Sequence, residues 1–163
     1  MNKGKLIFFC GKMGAGKSTK SKSIAEDLGA VLLSEDEWLA ALYPNAIQSI
    51  EDYVKYSSLL KPQLKKLVQD ILRSGSNVVM DFPGNTAAQR NWFKGIYAEI
   101  NAPHELIYLN VPDQTCLDQI AKRRLQQPER SATDTEEMFV QITKYFEEPQ
   151  VEEGFNMKEY GQD

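Results

Sequence analysis

The residues best equipped for chemistry are Gly11-Lys12-Met13-Gly14-Ala15-Gly16-Lys17-Ser18, two glycines with four residues between them followed by a lysine and a serine. That pattern suits the binding of a phosphate chain. Backbone N–H groups can wrap a polyphosphate only where side chains at the closest approach are small or absent, a condition that Gly11, Gly14, Ala15 and Gly16 meet. Lys17 is spaced to reach β- and γ-phosphates, and the Ser18 hydroxyl to hold Mg²⁺. The helix opening at Ser18 adds the partial positive charge of its N-terminus. The spacing predicts a nucleotide cradle made of Gly11, Lys12, Met13, Gly14, Ala15, Gly16, Lys17, Ser18 and Thr19, with ATP and Mg²⁺ as its ligands.

Three other groups could act on a bound triphosphate. In Ser34-Glu35-Asp36-Glu37 the acids have two readings. They can complement a helix N-terminus, with Ser34 and Glu37 as a capping box. Alternatively, Asp36 can accept the proton of an attacking hydroxyl. Asp81 closes an apolar run, where a carboxylate holds Mg²⁺ directly or through water; capping the next turn is the alternative, a task open also to Asn85 and Thr86. Lys122, Arg123, Arg124 and Arg130 flank the polar stretch Gln126-Gln127-Pro128-Glu129. They read as a solvated basic helix end, or as a lid spanning about 122–134 whose arginines, Arg124 or Arg130, close on the transferring phosphoryl.

These groups need a frame to hold them. Leu6 to Cys10, Ala30 to Leu33, Asn77 to Phe82 and His104 to Val111 read as buried strands. Helices are expected over 18–28, about 38–43, 56–73, 86–100, 113–125 and from a Thr133/Glu136 cap onward. Pro62 marks a start near Lys61 or a kink, and Thr86 with Gln89 reads as a capping box. Phe155-Asn156-Met157 could add a short edge strand. Strands alternating with helices specify an α/β fold with a parallel sheet of four or five strands and helices on both faces. Its working surface lies at the carboxyl ends of the strands, where the P-loop, Asp36 and Asp81 fall.

The bulk properties narrow the partners. With 163 residues, 42% hydrophobic and 26% charged, the chain suits one domain over 1–163. A net charge of −4 tempers nucleic-acid binding by a broad basic surface without excluding a narrow groove. Cys10 and Cys116 read as buried free thiols, in keeping with a reducing cytosol. The basic start Met1-Asn2-Lys3-Gly4-Lys5 precedes an apolar run too short for a signal peptide, and no segment suits a bilayer. A cytoplasmic location is expected. Trp38, Tyr53 and Tyr56 read as core or as the wall of an acceptor cleft. Lys55, Lys61, Lys65 and Lys66 read as one wet helix face, and His104 as structural. No nucleophile–histidine pair stands out, which argues against covalent catalysis.

With these residues in view, the chain from about Lys5 to Phe155 resembles the AAA-domain branch of small P-loop kinases, which takes in zeta toxins, chloramphenicol phosphotransferase and polynucleotide 5′-kinases. The resemblance implies a P-loop NTPase three-layer sandwich. It implies that Asp36 is the general base, that Asp81 with the Asn85-Thr86 turn serves the metal, and that the stretch from Arg123-Arg124 to Arg130 is an arginine lid. Kinases of the branch usually carry an arginine two positions after the catalytic aspartate, where this chain has Trp38. The expectation is a phosphotransferase that moves the γ-phosphoryl of Mg·ATP to a hydroxyl of a small molecule, with Lys17, Asp36, Arg124 and Arg130 catalytic and Ser18 and Asp81 at the metal. The alternatives are a nucleotide-dependent ATPase or switch acting on a protein partner, and a nucleic-acid 5′-hydroxyl kinase.

Overall fold

The run Leu6-Ile7-Phe8-Phe9-Cys10 has no polar side chain to offer to water, and it forms the central strand β1 (Leu6–Cys10), buried along its whole length. A computed structural model describes residues 2–131 and 133–161. The ends of the expected 1–163 domain and position 132 of the expected lid lie outside the described residues. In order come α1 (Lys17–Leu28), β2 (Val31–Ser34), α2 (Glu35–Leu42), α3 (Ile50–Arg73), β3 (Val78–Asp81), α4 (Ala87–Ala98), β4 (His104–Asn110), α5 (Asp113–Gln126), α6 (Glu136–Thr143) and β5 (Met157–Gly161). The five strands make one parallel sheet in the order β2-β3-β1-β4-β5. The parallel α/β expectation holds, with the fifth strand at the edge and slightly later than Phe155-Asn156-Met157.

Strand periodicity divides the core. Leu6, Phe8 and Cys10 pack with α3 and α4 residues such as Leu64, Val68, Phe93 and Ile96. Ile7 and Phe9 face the other way, with Ala25 of α1. A third cluster, Cys116, Ile120 and Phe139, joins α5 to α6 and takes in Met13 of the glycine loop. The chain passes from β1 to β2 on one side of the sheet and from β3 to β4 on the other, and at such a switch in strand order the carboxyl ends of the strands leave a crevice, the place where such sheets bind ligands.

Two boundaries differ from the sequence expectation. Helix α3 begins at Ile50 instead of Tyr56, because the Ser49 side chain accepts from the Asp52 amide at 3.1 Å while Asp52 accepts from the Gln48 amide at 3.1 Å. Pro62 lies inside this helix. Both Pro62 and Ser58, whose carbonyl would otherwise receive the missing amide, are exposed, so the missing bond falls on the solvent side of the helix. Helix α6 is capped by Thr135, which accepts from Met138 N at 3.0 Å, and not by Thr133. At Thr133 the chain is still turning: the amides of Thr133 and Asp134 both donate to Arg130 O, at 3.1 and 2.7 Å.

No helix among the described residues is long and apolar enough to cross a membrane. His104 does structural work. It stacks on Tyr97 with ring centroids 3.9 Å apart, and its Nε2 accepts from the Asn156 amide at 3.0 Å. Burial, then the charges of Lys94 and Lys5, lower its pKa. Both cysteines are free and buried, and burial pushes the Cys10 thiol up to about 11 against the pull of Arg90.

Candidate functional site

The glycine loop leaves the end of β1 and turns at once into α1. Gly11 N donates to Asn85 Oδ1 at 2.8 Å, which ties the start of the loop to the turn after β3. Gly14 has φ +83°, and a Cβ there would meet Cys116 O at 2.4 Å, so only glycine allows the loop to pack this closely on α5. Gly16, at φ +100°, is the N-cap of α1 and offers no side-chain cap. The bond from Lys20 N to Gly16 O at 3.0 Å is the first of the helix. Among the described residues the amides of Lys17, Ser18 and Thr19 therefore stand as unpaired donors at the start of α1.

The side chains of the loop divide by role. Lys17 Nζ donates back to Gly11 O at 3.3 Å and so lies over the loop. Lys12 turns away, pairing with Asp113 at 2.7 Å and lying over the Phe146 ring, so it can serve a ligand only through its backbone. Met13 packs sideways into the α5–α6 cluster. Ser18 and Thr19 are exposed at the first turn of α1. Ser18 Oγ donates to Asp81 Oδ2 at 2.9 Å. Parallel pairing of β1 with β3 brings these two together, since β3 ends beside the point where β1 releases the loop. A hydroxyl next to a carboxylate is an all-oxygen set that fits Mg²⁺. No group of three or more potential His, Cys, Asp or Glu ligands exists among the described residues, so the ion would draw its other ligands from phosphate and water.

Across the crevice, Ser34 caps α2 through the Glu37 amide at 3.5 Å, and the next two residues part company. Asp36 keeps 62% of its side chain exposed, whereas Glu35 is 2% exposed. Glu35 accepts from Tyr53 OH at 2.5 Å and from Ser57 Oγ at 2.8 Å, which pins α2 to α3. Burial raises the Glu35 pKa against those two hydrogen bonds, and Tyr53 is raised well above its ordinary value by burial and by Glu35. Tyr53 therefore belongs to the helix packing. Tyr56 packs against Tyr43 in a tilted pair with centroids 4.5 Å apart, and Trp38 packs on the core.

The basic stretch after α5 is organised by a residue that no motif in the sequence marks. Asp134, 1% exposed, accepts from Arg123 Nε and a terminal nitrogen at 2.7 and 2.9 Å, and from Arg130 Nε at 2.8 Å. A terminal nitrogen of Arg130 also reaches Asp36 Oδ2 at 3.4 Å. Burial lowers the Arg130 pKa, but the Asp134 hydrogen bond and the Asp36 charge outweigh it and the net shift is upward. Arg124 is exposed, with no ion pair among the described residues. The structure thus brings Lys17, Ser18 and Asp81 together at one corner and Asp36 and Arg130 at another, and leaves Arg124 outside both. A four-residue Arg130-to-Asp134 spacing was the available signal for the clasp, hidden because the segment is a single 3₁₀ turn, Pro128–Arg130, and not a helix.

The expected Thr86 box is present in altered form. Thr86 accepts from Gln89 N at 3.1 Å, but Gln89 Oε1 returns to Asn85 N at 2.7 Å, which steadies the residue that holds Gly11.

A parallel five-stranded sheet with a phosphate-type loop after its central strand and an acid at the end of the adjacent strand defines a P-loop NTPase fold. A family described as "AAA domain" matches residues 6–149. The chain belongs to that family. No curated protein matches the chain. Among solved structures, the Mycobacterium tuberculosis APS kinase CysC, in complex with AMPPNP and APS, is similar at TM-score 0.63 and 16% identity, covering 100% of this chain and 91% of its own. Kti12 of Chaetomium thermophilum in complex with ADP-AlF3 is similar at TM-score 0.70 and 16% identity, covering 97% of this chain and 89% of its own. APE1195 is similar at TM-score 0.67 and 20% identity, covering 100% of this chain and 87% of its own. At these identities the likeness is one of fold.

Proposed function

We propose that the chain is an ATP-dependent phosphotransferase that moves the γ-phosphoryl group of Mg·ATP to a hydroxyl of a small-molecule acceptor. The observation that carries this reading is the Arg130–Asp36 contact at 3.4 Å. It brings a guanidinium from beyond α5 onto a solvent-open carboxylate at the start of α2, so a cation for the transferring group and a base for the acceptor converge. The nucleotides named in two relatives, AMPPNP and ADP-AlF3, support a nucleotide donor here.

In the transfer, Asp36 accepts the proton of the acceptor hydroxyl. The acceptor oxygen forms a bond to the γ-phosphorus while the bond from that phosphorus to the β–γ bridging oxygen breaks, and ADP leaves. Lys17, the unpaired amides at the start of α1 and Arg130 offset the charge on the transferring group. Bound Mg²⁺ would neutralise the β- and γ-oxygens. Ser18 would hold it, and Asp81 would keep the Ser18 hydroxyl turned toward it.

The test is to incubate the chain with γ-labelled ATP, Mg²⁺ and a metabolite library. Label should appear on an acceptor, and Asp36→Asn should lower transfer by about 10²–10⁴-fold while ATP affinity is kept. Brisk release of inorganic phosphate with no labelled acceptor, unchanged by Asp36→Asn, would refute the phosphotransferase and leave a nucleotide hydrolase or switch.

A further inference from the structure

Resting on that reading, we propose that the acceptor is a hydroxyl compound that also carries an anionic oxygen group, and that Lys61 of α3 binds that group beside the Trp92 ring. The four lysines read as one wet face do not behave alike. Lys65 pairs with Glu99 at 2.6 Å, Lys66 is exposed, and Lys55 lies 5.2 Å from the Tyr56 ring but is itself exposed. Lys61 is half-buried, with its ammonium 5.5 Å from the Trp92 centroid and no carboxylate partner among the described residues. A ring face occupies none of the ammonium's hydrogen-bond donors, which leaves them available to an anion.

Its position ties it to the reacting groups. Lys61 lies one helical turn beyond Ser57 on the same face of α3, and Ser57 donates to Glu35, the residue before Asp36. Its charge is felt at Glu35. The ring it lies over, Trp92, packs on Phe82 with centroids 6.2 Å apart, and Phe82 is the residue after Asp81. Phe82 shares its face of the sheet with Met80, Leu60 and Phe93, whereas Asp81 points to α1 and Ser18. Lys61 thus borders the α3–α4 side of the strand ends, with the Trp92 ring beneath it and Glu35, the neighbour of the proposed base, within reach of its charge. An acceptor lying there would set its anionic group on Lys61 and its hydroxyl toward Asp36. The anion and the hydroxyl would have to belong to one small molecule, as in a sugar phosphate or a hydroxy acid.

The experiment compares matched acceptors, ribose with ribose 5-phosphate and glycerol with glycerol 3-phosphate or glycerate, using γ-labelled ATP and the full chain. The anionic members should accept label faster than the neutral ones, and Lys61→Gln should raise their KM about tenfold, as loss of a charge-assisted hydrogen bond does, with the KM for ATP unchanged. Calorimetry supplies a readout that needs no turnover. With the glycine loop saturated by Mg²⁺ and a non-hydrolysable ATP analogue, inorganic phosphate should bind the wild type about tenfold more tightly than Lys61→Gln. Equal use of neutral and anionic acceptors overturns the proposal and leaves the phosphotransferase standing. Hydrolysis alone, with no acceptor labelled, overturns the phosphotransferase, and the phosphate titration then decides the anion site: equal affinity in wild type and Lys61→Gln overturns it, and a loss in Lys61→Gln upholds it.

Discussion

Asp81 and Asp36 both stand where a strand gives way to the next segment, yet they are held in opposite ways. Asp81 receives the Ser18 hydroxyl at 2.9 Å, from the first turn of a helix that β1 itself launches. Among the described residues, the Asp36 side chain is reached only by Arg130, at 3.4 Å, from a turn 94 residues later in the chain. The first corner is built from two neighbouring strands and a helix start, and its geometry is fixed by sheet pairing. The second joins the start of α2 to a short 3₁₀ turn through one long side chain, and that turn is steadied by the buried Asp134. The Ser18–Asp81 corner, proposed to hold the metal, is therefore expected to be fixed before any ligand arrives, and the Asp36–Arg130 corner, proposed as the lid side, to respond to ligand and to mutation of its clasp.

The largest effect expected at the fixed corner comes from Asp81→Asn. The amide can still accept from Ser18, so the fold should survive, but the charge next to the metal position is gone. Steady-state transfer should fall by about 10²–10³-fold, in line with removing one electrostatic contact to a developing charge. The loss should be partly recovered at high Mg²⁺, which a magnesium titration of kcat/KM reads. A loss that magnesium does not touch would place Asp81 outside the metal corner.

At the responsive corner the arginines should separate. Arg130→Ala should cost about 10²-fold in kcat, whereas Arg124→Ala should change it by no more than about threefold, as for an exposed side chain away from the chemistry. Single-turnover rates for the pair decide this. Equal losses would mean that the segment rearranges on nucleotide binding so that Arg124 enters, an arrangement compatible with the sequence alone.

Asp134→Asn probes the clasp itself. The carboxylate is 1% exposed, and two guanidiniums, each about a quarter exposed, converge on it. Removing its charge leaves both arginines under-paired, and a loss of about 1–3 kcal/mol in unfolding free energy is expected, below the range for fully buried pairs because both arginines reach water. A drop in kcat with the KM for ATP held would mark Asp134 as a positioning residue. Denaturant unfolding and steady-state kinetics on the same preparation separate the two losses.

The contrast between the corners also explains how far the amino-acid sequence alone could locate each. Sheet and helix positions come from periodicity, so the glycine loop, Ser18 and Asp81 could be placed before the fold was known: a run of five apolar residues must become a buried strand, and the segment after that run must sit at the strand end. The parallel α/β architecture was legible for the same reason. The clasp was not, because Asp134 gains its role from tertiary contacts with Arg123 and Arg130 and from a turn without periodicity. Thr133 and Thr135 are equally good caps on paper, and the carbonyl of Arg130, by taking the amides of Thr133 and Asp134, decides between them. Lys61 shows the same limit. Only the packing of α3 on α4 shows that, of the four lysines, Lys61 is the one half-buried over Trp92, with no acid partner among the described residues.

The smallest effect is expected from Glu35, buried next to the exposed Asp36, and its sign is the informative part. Among the described residues Glu35 has no cation in contact, and Tyr53 and Ser57 supply its hydrogen bonds. Burial raises its pKa above the ordinary 4.5, so the folded state holds a proton more tightly than the unfolded chain. Stability from this group is then fully present below about pH 4.5 and is lost as pH rises through the folded-state value. Glu35→Gln keeps an acceptor for Tyr53 or Ser57 and removes the titration. At neutral pH the variant should lie within about 1 kcal/mol of the wild type, on the stable side if the buried charge dominates. As pH falls toward 4.5 the wild type should gain on the variant, and paired thermal melts across that window measure the gain. A wild type that loses ground to Glu35→Gln on acidification would show that the Tyr53 and Ser57 hydroxyls hold Glu35 as the anion more strongly than its burial resists it.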